Sequence, residues 1–276
     1  MSHDEQLAWE ARAGKPAAIV AFAAAVLGFA GYVLSQTIIA SSDDGADGFL
    51  KEVDERSSDF IAAGALQAAS FLLLIAPLLY LFRASRHRRP ELSPTAAVLL
   101  VLGALTLAVM TVVQQFKLLD IARDFFPFEI PDDAGELRGD AYAEAVDPEE
   151  AAEERISDEL GAVVPGFIAG GTLALAFAVV MISVNSMRVG LLSRFMGVLG
   201  IGVGVMLVIP FGVQPILQLF WLGAVAAILL DRWPGGRGPA WQTGEAIPWP
   251  GAAEQREEIE RRRAEREPEP EPEPEP

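Results

Sequence analysis

FIAAGALQAASFLLLIAPLLYLF, residues 60–82, runs directly into RASRHRRP, residues 83–90. The first stretch is 23 residues without a charge, and about 20 helical residues cross the roughly 30 Å hydrocarbon core of a bilayer. The second sets four arginines at the end of that run, where the cytoplasmic face of a membrane collects Lys and Arg. A buried helix of a soluble domain needs a surrounding layer to cover it. Elsewhere the chain offers only more segments of the same kind.

Five further apolar segments accompany it. The reading is Ala17–Ile39, Phe60–Phe82, Thr95–Phe116, Ala162–Val184, Val189–Ile209 and Phe211–Leu230. Arg194 alone among these residues is charged, and it lies near the start of its segment, where a long side chain can snorkel to the interface. The expected fold is therefore all-α, a polytopic transmembrane bundle of six helices. The mean hydropathy is positive although the net charge is −17. Both can hold only if charge and apolarity are segregated along the chain.

Alternate threading puts residues 1–16, the loop with Arg83, Arg86, Arg88 and Arg89, the link with Arg188, and the tail 231–276 on one side. The loops 40–59 and 117–161 fall on the other. Residues 40–59 carry seven acids against two bases, and 117–160 carry fifteen against four. The basic side is read as cytoplasmic, N-in and C-in. A cleaved signal peptide is disfavoured, because the first apolar run is long and Asp4, Glu5 and Glu10 precede it.

Several local features follow. Lys117–Phe126 extends the third helix as far as Pro127, and Asp147-Pro148-Glu149-Glu150 reads as a helix start. Residues 132–147 read as a mobile Gly/Asp stretch, and Pro210, Gly212 and Pro215 as a tight reversal. In the tail, 233–250 is too rich in Pro and Gly for helix, its tryptophans suit a headgroup zone, and the Glu-Pro end reads as disordered. DERSSD (54–59) and EERISD (153–158), 99 residues apart, suggest a repeated two-helix unit.

Two sets of residues stand out within the membrane segments. Small residues recur at Gly166, Gly170, Ala174 and Ala178, and at Ser193, Gly197, Gly200 and Gly204. Such stripes let membrane helices approach closely, or let two copies associate. Polar residues Gln67, Ser70, Gln114, Gln115, Gln214 and Gln218 line up either as a seam for a small solute or as interhelical hydrogen bonds.

The chain has no cysteine and only two histidines, His3 and His87. It has no HExxH, GxSxG or Walker motif, so no catalytic residue, metal site or cofactor is expected. Net acidity argues against a nucleic-acid partner. The partners expected are the lipid bilayer, a second copy or another membrane protein, and anionic lipid at Arg83, Arg86, Arg88 and Arg89.

Leu192–Gly200 (LSRFMGVLG) and Arg232–Trp241 (RWPGGRGPAW), continuing to Trp249, resemble a group of uncharacterised polytopic membrane proteins of high-GC bacteria. The resemblance implies a bacterial cytoplasmic membrane and a domain of unknown function. It implies no activity and carries over no functional residue. The expectation is a non-enzymatic membrane protein acting through helix association or a partner, with a transporter or channel as the alternative.

Overall fold

The computed structural model describes residues 3–42, 45–126, 147–209, 214–234, 236–249 and 261. Among these every regular element is helical: α1 (His3–Ser41), α2 (Ala46–Glu55), α3 (Ser57–Arg88), α4 (Thr95–Phe125), α5 (Pro148–Leu160), α6 (Val163–Arg188), α7 (Arg194–Val208), α8 (Gln214–Leu229) and a single turn, α9 (Ala240–Thr243). The 132–146 stretch, the reversal at Pro210 and Gly212, and the Glu-Pro end fall outside the described residues.

Four helices, α1, α3, α4 and α6, are long and apolar enough to cross a membrane. α7 and α8 are equally apolar but have 15 and 16 residues, about 22–24 Å at 1.5 Å per residue. The fifth segment was expected to be helical from Val189. Residues 189–193 instead form a turn, and Ser193 caps α7 by accepting from Met196 N at 3.3 Å.

These six helices close a ring: α1 packs on α3, α3 on α4, α4 on α6, α6 on α7, α7 on α8, and α8 back on α1, with α3 also touching α6. Leu78, Leu81, Leu100, Leu175, Ile182, Trp221 and Leu222 fill the interior. Large apolar side chains point outward on every wall, among them Phe22, Leu102, Phe167, Phe177, Phe195 and Phe220. Soluble monomers rarely expose such a continuous apolar surface. The belt, with the four long helices, suits a membrane-embedded protein.

At the acidic end α4 projects past the ring and meets two amphipathic helices. α2, read from sequence as loop, buries Leu50 and Val53 one turn apart. α5 begins where Asp147 Oδ1 accepts from Glu149 N at 2.9 Å, with Pro148 in its first turn. Together they cover a second cluster: Ile38, Leu50, Val53, Phe60, Leu118, Leu119, Ile121, Ala122 and Ala152. α2 and α5 each precede a long helix, but DERSSD spans the junction of α2 and α3 while EERISD lies wholly inside α5, so the two motifs 99 residues apart do not occupy equivalent places. Arg56, between α2 and α3, pairs with Asp59 at 3.0 Å and Glu52 at 3.3 Å. These contacts raise its already high pKa, the Asp59 bond most.

Candidate functional site at the basic end of the bundle

The first four turns of α1, expected as a separate terminus 1–16, are continuous with its apolar part and lie against the end of α3. Gln6, Glu10, Ala13 and Ala17 recur at four, three and four residues, so one helical face carries all of them. On it Gln6 and Glu10 are buried, and Gln6 Nε2 donates to Glu10 Oε1 at 2.7 Å.

Their counterpart is Arg88, the last residue of α3. Its Nη1 lies 2.5 Å from Glu10 Oε1 and its Nη2 3.0 Å from Oε2, a two-pronged ion pair. The guanidinium is fully buried and the carboxylate nearly so. Remaining donors reach Ala84 O at 2.9 Å and Ala240 O at 2.7 Å. A desolvated pair of charges holds only with such further bonds, because burial costs each ion several kcal/mol.

Aromatic rings wall this pair in. Tyr80 donates its hydroxyl to Glu10 O at 3.0 Å, stacking on Trp9 on one side and Trp241 on the other. Arg83 lies over the Trp9 ring at 4.4 Å and Arg237 over Trp241 at 5.2 Å.

Trp241 belongs to the tail, which was expected to be a separate and largely disordered region with its tryptophans among headgroups. Residues 236–249 are instead part of the packed end. Trp241 is 7% exposed and donates Nε1–H to Leu191 O at 3.0 Å. Trp249 donates to Gly190 O at 3.1 Å. Arg237 donates to Leu229 O and to Ile228 O at 2.9 Å, at the end of α8, where Ile228 O also accepts from Asp231 N at 3.0 Å. The turn at 189–193 makes room for this. Gly190 has φ +84°, and a Cβ there would stand 1.9 Å from Ile247 O.

The four arginines named from sequence thus divide. Arg88 is spent on Glu10. Arg89 pairs with Glu91 at 2.9 Å, and that contact, after the Glu91 backbone N–H, holds the exposed Glu91 carboxyl below its usual pKa. Arg83 and Arg86 are exposed and have no carboxylate partner among the described residues. Both border a groove of about 800 Å³ between α1 and α3, walled by Trp9, Ala13, Pro16, Ala17, Val20, Ala76 and Leu79. A second groove of about 400 Å³ lies between α3 and α4, against Pro94, Val98, Val101 and Leu102. Leu79, Phe82, Arg86 and Ala97 border both.

The polar residues do not form one seam. Gln67, Gln214 and Gln218 meet Tyr32 around a small, partly open space of about 70 Å³, with Gln214 Nε2 donating to Gln218 Oε1 at 2.6 Å. Ser70 donates to Ala24 O of α1 at 2.8 Å. Gln115 packs on Gly64, where a Cβ would meet its Cγ at 2.4 Å, and Gln114 is half-buried; neither borders that space.

The small-residue stripes also separate. On α7 a Cβ at Gly197 would meet Met187, at Gly200 Ser183 Oγ and Trp221, and at Gly204 Val180 and Ala176 O, all inside 3 Å. On α6 Gly166 and Gly170 face open space, with nothing within 4 Å of a Cβ, while Ala174 is half-buried and Ala178 buried. The expected stripe is therefore displaced: α6 approaches α4 through Gly171, one position on, and Gly103 sits 2.6 Å from Leu175 N by the same measure. Sequence spacing found the small residues without fixing which side of α6 faces a neighbour. Glu10, Tyr80, Trp241 and the Arg86 grooves were not singled out; the 4-3-4 face of α1 was the one available signal.

No curated protein and no solved structure matches the chain. A family described as a domain of unknown function (DUF4386) matches over residues 17–231. The match takes in the helical ring from Ala17 of α1 to the end of α8, with the Leu192–Gly200 stretch, and leaves out both the first turns of α1 that carry Glu10 and the tail that carries Trp241 and Trp249. The chain belongs to this family, DUF4386.

Proposed function

We propose that this is a six-span protein of a bacterial cytoplasmic membrane, with its basic end and both termini in the cytoplasm, working by association rather than by catalysis or conduction. α7 and α8 are short for about 30 Å of hydrocarbon, but as neighbours in a closed ring they can span locally thinned lipid. The distribution of Lys and Arg supports the orientation. What the protein associates with is the bilayer itself, a second copy or another membrane protein.

The observation that carries the choice of association over conduction is the fate of the glutamines. Gln67, Gln214 and Gln218 border a small, partly open space of about 70 Å³, room for a few waters at about 10–15 Å³ each. Towards the basic end lie the buried Leu78, Trp221 and Ile182, and then the Arg88–Glu10 pair. Conduction would require that pair to open.

Flux into vesicles tests this reading. Proteoliposomes of the full chain should leak protons, potassium and small amino acids no faster than protein-free vesicles. A flux above that background, reduced by Gln218→Ala, would restore the conduit.

A further inference from the structure

The two grooves beside α3 share a wall and a charge, and what they have in common defines a ligand. Each opens on the apolar outer surface between neighbouring helices. Along α3 the first extends from Arg83 to Ala76, about 10 Å at 1.5 Å per residue. Along α4 the second extends from Pro94 to Leu102, about 12 Å. These depths cover roughly two-thirds to four-fifths of the half-thickness, about 15 Å, of a ~30 Å hydrocarbon core. Each groove, at about 800 and about 400 Å³, is by itself in the range of about 300–1,000 Å³ where ligand sites lie.

Charge is placed only at the interfacial mouth. Arg86 borders both grooves, and Arg83 borders the first, held in place over Trp9 at 4.4 Å. Neither has a carboxylate partner among the described residues, whereas Arg88 and Arg89 beside them do. Two open guanidiniums above two adjoining, open apolar grooves match one negative headgroup above two chains.

We infer that these grooves hold one anionic diacyl phospholipid, its phosphate on Arg83 and Arg86, one acyl chain between α1 and α3 and the other between α3 and α4. The inference rests on the membrane reading above and names one associate within it. Guanidinium forks suit phosphate oxygens, and the apolar walls exclude a free phosphate from using more than the mouth. The lipid straddles α3 close to Leu79 and Phe82, so it reports on the same helix end that carries Arg88.

Quenching of tryptophan fluorescence by brominated lipids tests it, since Trp9 walls the first groove. The full chain is placed in phosphatidylcholine vesicles with one-fifth brominated phosphatidylglycerol or, separately, one-fifth brominated phosphatidylcholine. The phosphatidylglycerol should quench at least twofold more, and Trp9→Phe should remove most of that excess. Arg83→Gln/Arg86→Gln should abolish it, Arg83→Lys/Arg86→Lys should keep most of it, and Arg89→Gln should leave it unchanged. Should the glutamine pair not fold, raising NaCl to 1 M in the wild-type sample should cut the excess, because screening then acts within about 3 Å. Equal quenching by the two lipids overturns the inference. So does loss of the excess with inorganic phosphate as competitor, or an excess that emerges only after residues 254–276, rich in Glu, are deleted. Any of these leaves span number and orientation standing, since cysteine labelling measures those separately.

Discussion

Arg88 and Glu10, 78 residues apart in sequence, meet through both prongs of a guanidinium–carboxylate pair, with Nη1–Oε1 at 2.5 Å and Nη2–Oε2 at 3.0 Å, out of reach of water. Removing one partner strands the other charge in a buried site, at a cost of about 3–5 kcal/mol. Arg88→Ala and Glu10→Ala should each lower the melting temperature in detergent sharply. Glu10→Leu/Arg88→Met, which removes both charges and keeps volume, should recover at least half of the loss. Wild-type melting of either single variant would contradict the pair's structural role.

Gly190 fixes the tail to the bundle. Its φ of +84° costs a residue with a Cβ about 1–2 kcal/mol, and the Cβ would also collide with Ile247 O. Gly190→Ala should leave the helical ring intact and release residues around Trp249, raising the rate of protease cleavage there about tenfold or more per ~1.4 kcal/mol. Cleavage at the wild-type rate would mean that the tail docks without this contact.

At the α4–α6 crossing, Gly103 faces backbone rather than a yielding side chain: Leu175 N at 2.6 Å and Gly171 O at 2.9 Å from a Cβ. Even Gly103→Ala should therefore destabilise, by about 1–3 kcal/mol as overpacking does, and Gly200→Leu by more. Gly170→Leu and Gly223→Leu point into open space and should stay within about 0.5 kcal/mol of wild type. A large loss at Gly170 in purified monomer would mean that α6 is rotated from its place here.

The apolar segments were legible because hydropathy over 20 residues is a local property of the chain. The start of α5 was legible for the same reason: Asp147 and Pro148 act on the turn that follows them. α2 was missed because acids on its outer face masked the Phe49, Leu50 and Val53 spacing. The candidate site was nearly illegible. Nothing near Glu10 in sequence announces Arg88, and nothing in a Pro/Gly-rich tail announces that Trp241 will stack against Tyr80. Such contacts depend on where helix ends arrive, which six independent hydropathy peaks do not state. Which side of α6 packs inside the bundle was illegible for a related reason. A four-residue repeat drifts around a 3.6-residue helix, so Gly166 and Gly170 lie off the face that Ala178 shares with the core.

Orientation is decided by labelling introduced cysteines in a chain that has none of its own. α3 has 32 residues, about 48 Å, so its two flanks stand on opposite sides of a ~30 Å core. Ser58 and Ser93 are both exposed there. Ser85, in the basic stretch itself, is unsuitable: it is buried with its hydroxyl 3.1 Å from that of Ser186. Neutralisation of Arg88 by Glu10 in the folded protein does not weaken the expectation, because topology follows the count of Lys and Arg during insertion and acids contribute little. In intact cells an impermeant maleimide should label Ser58→Cys, and should reach Ser93→Cys only after the membrane is permeabilised. The reverse pattern would invert the bundle, placing the packed Trp241 end and the Arg86 grooves at the outer leaflet.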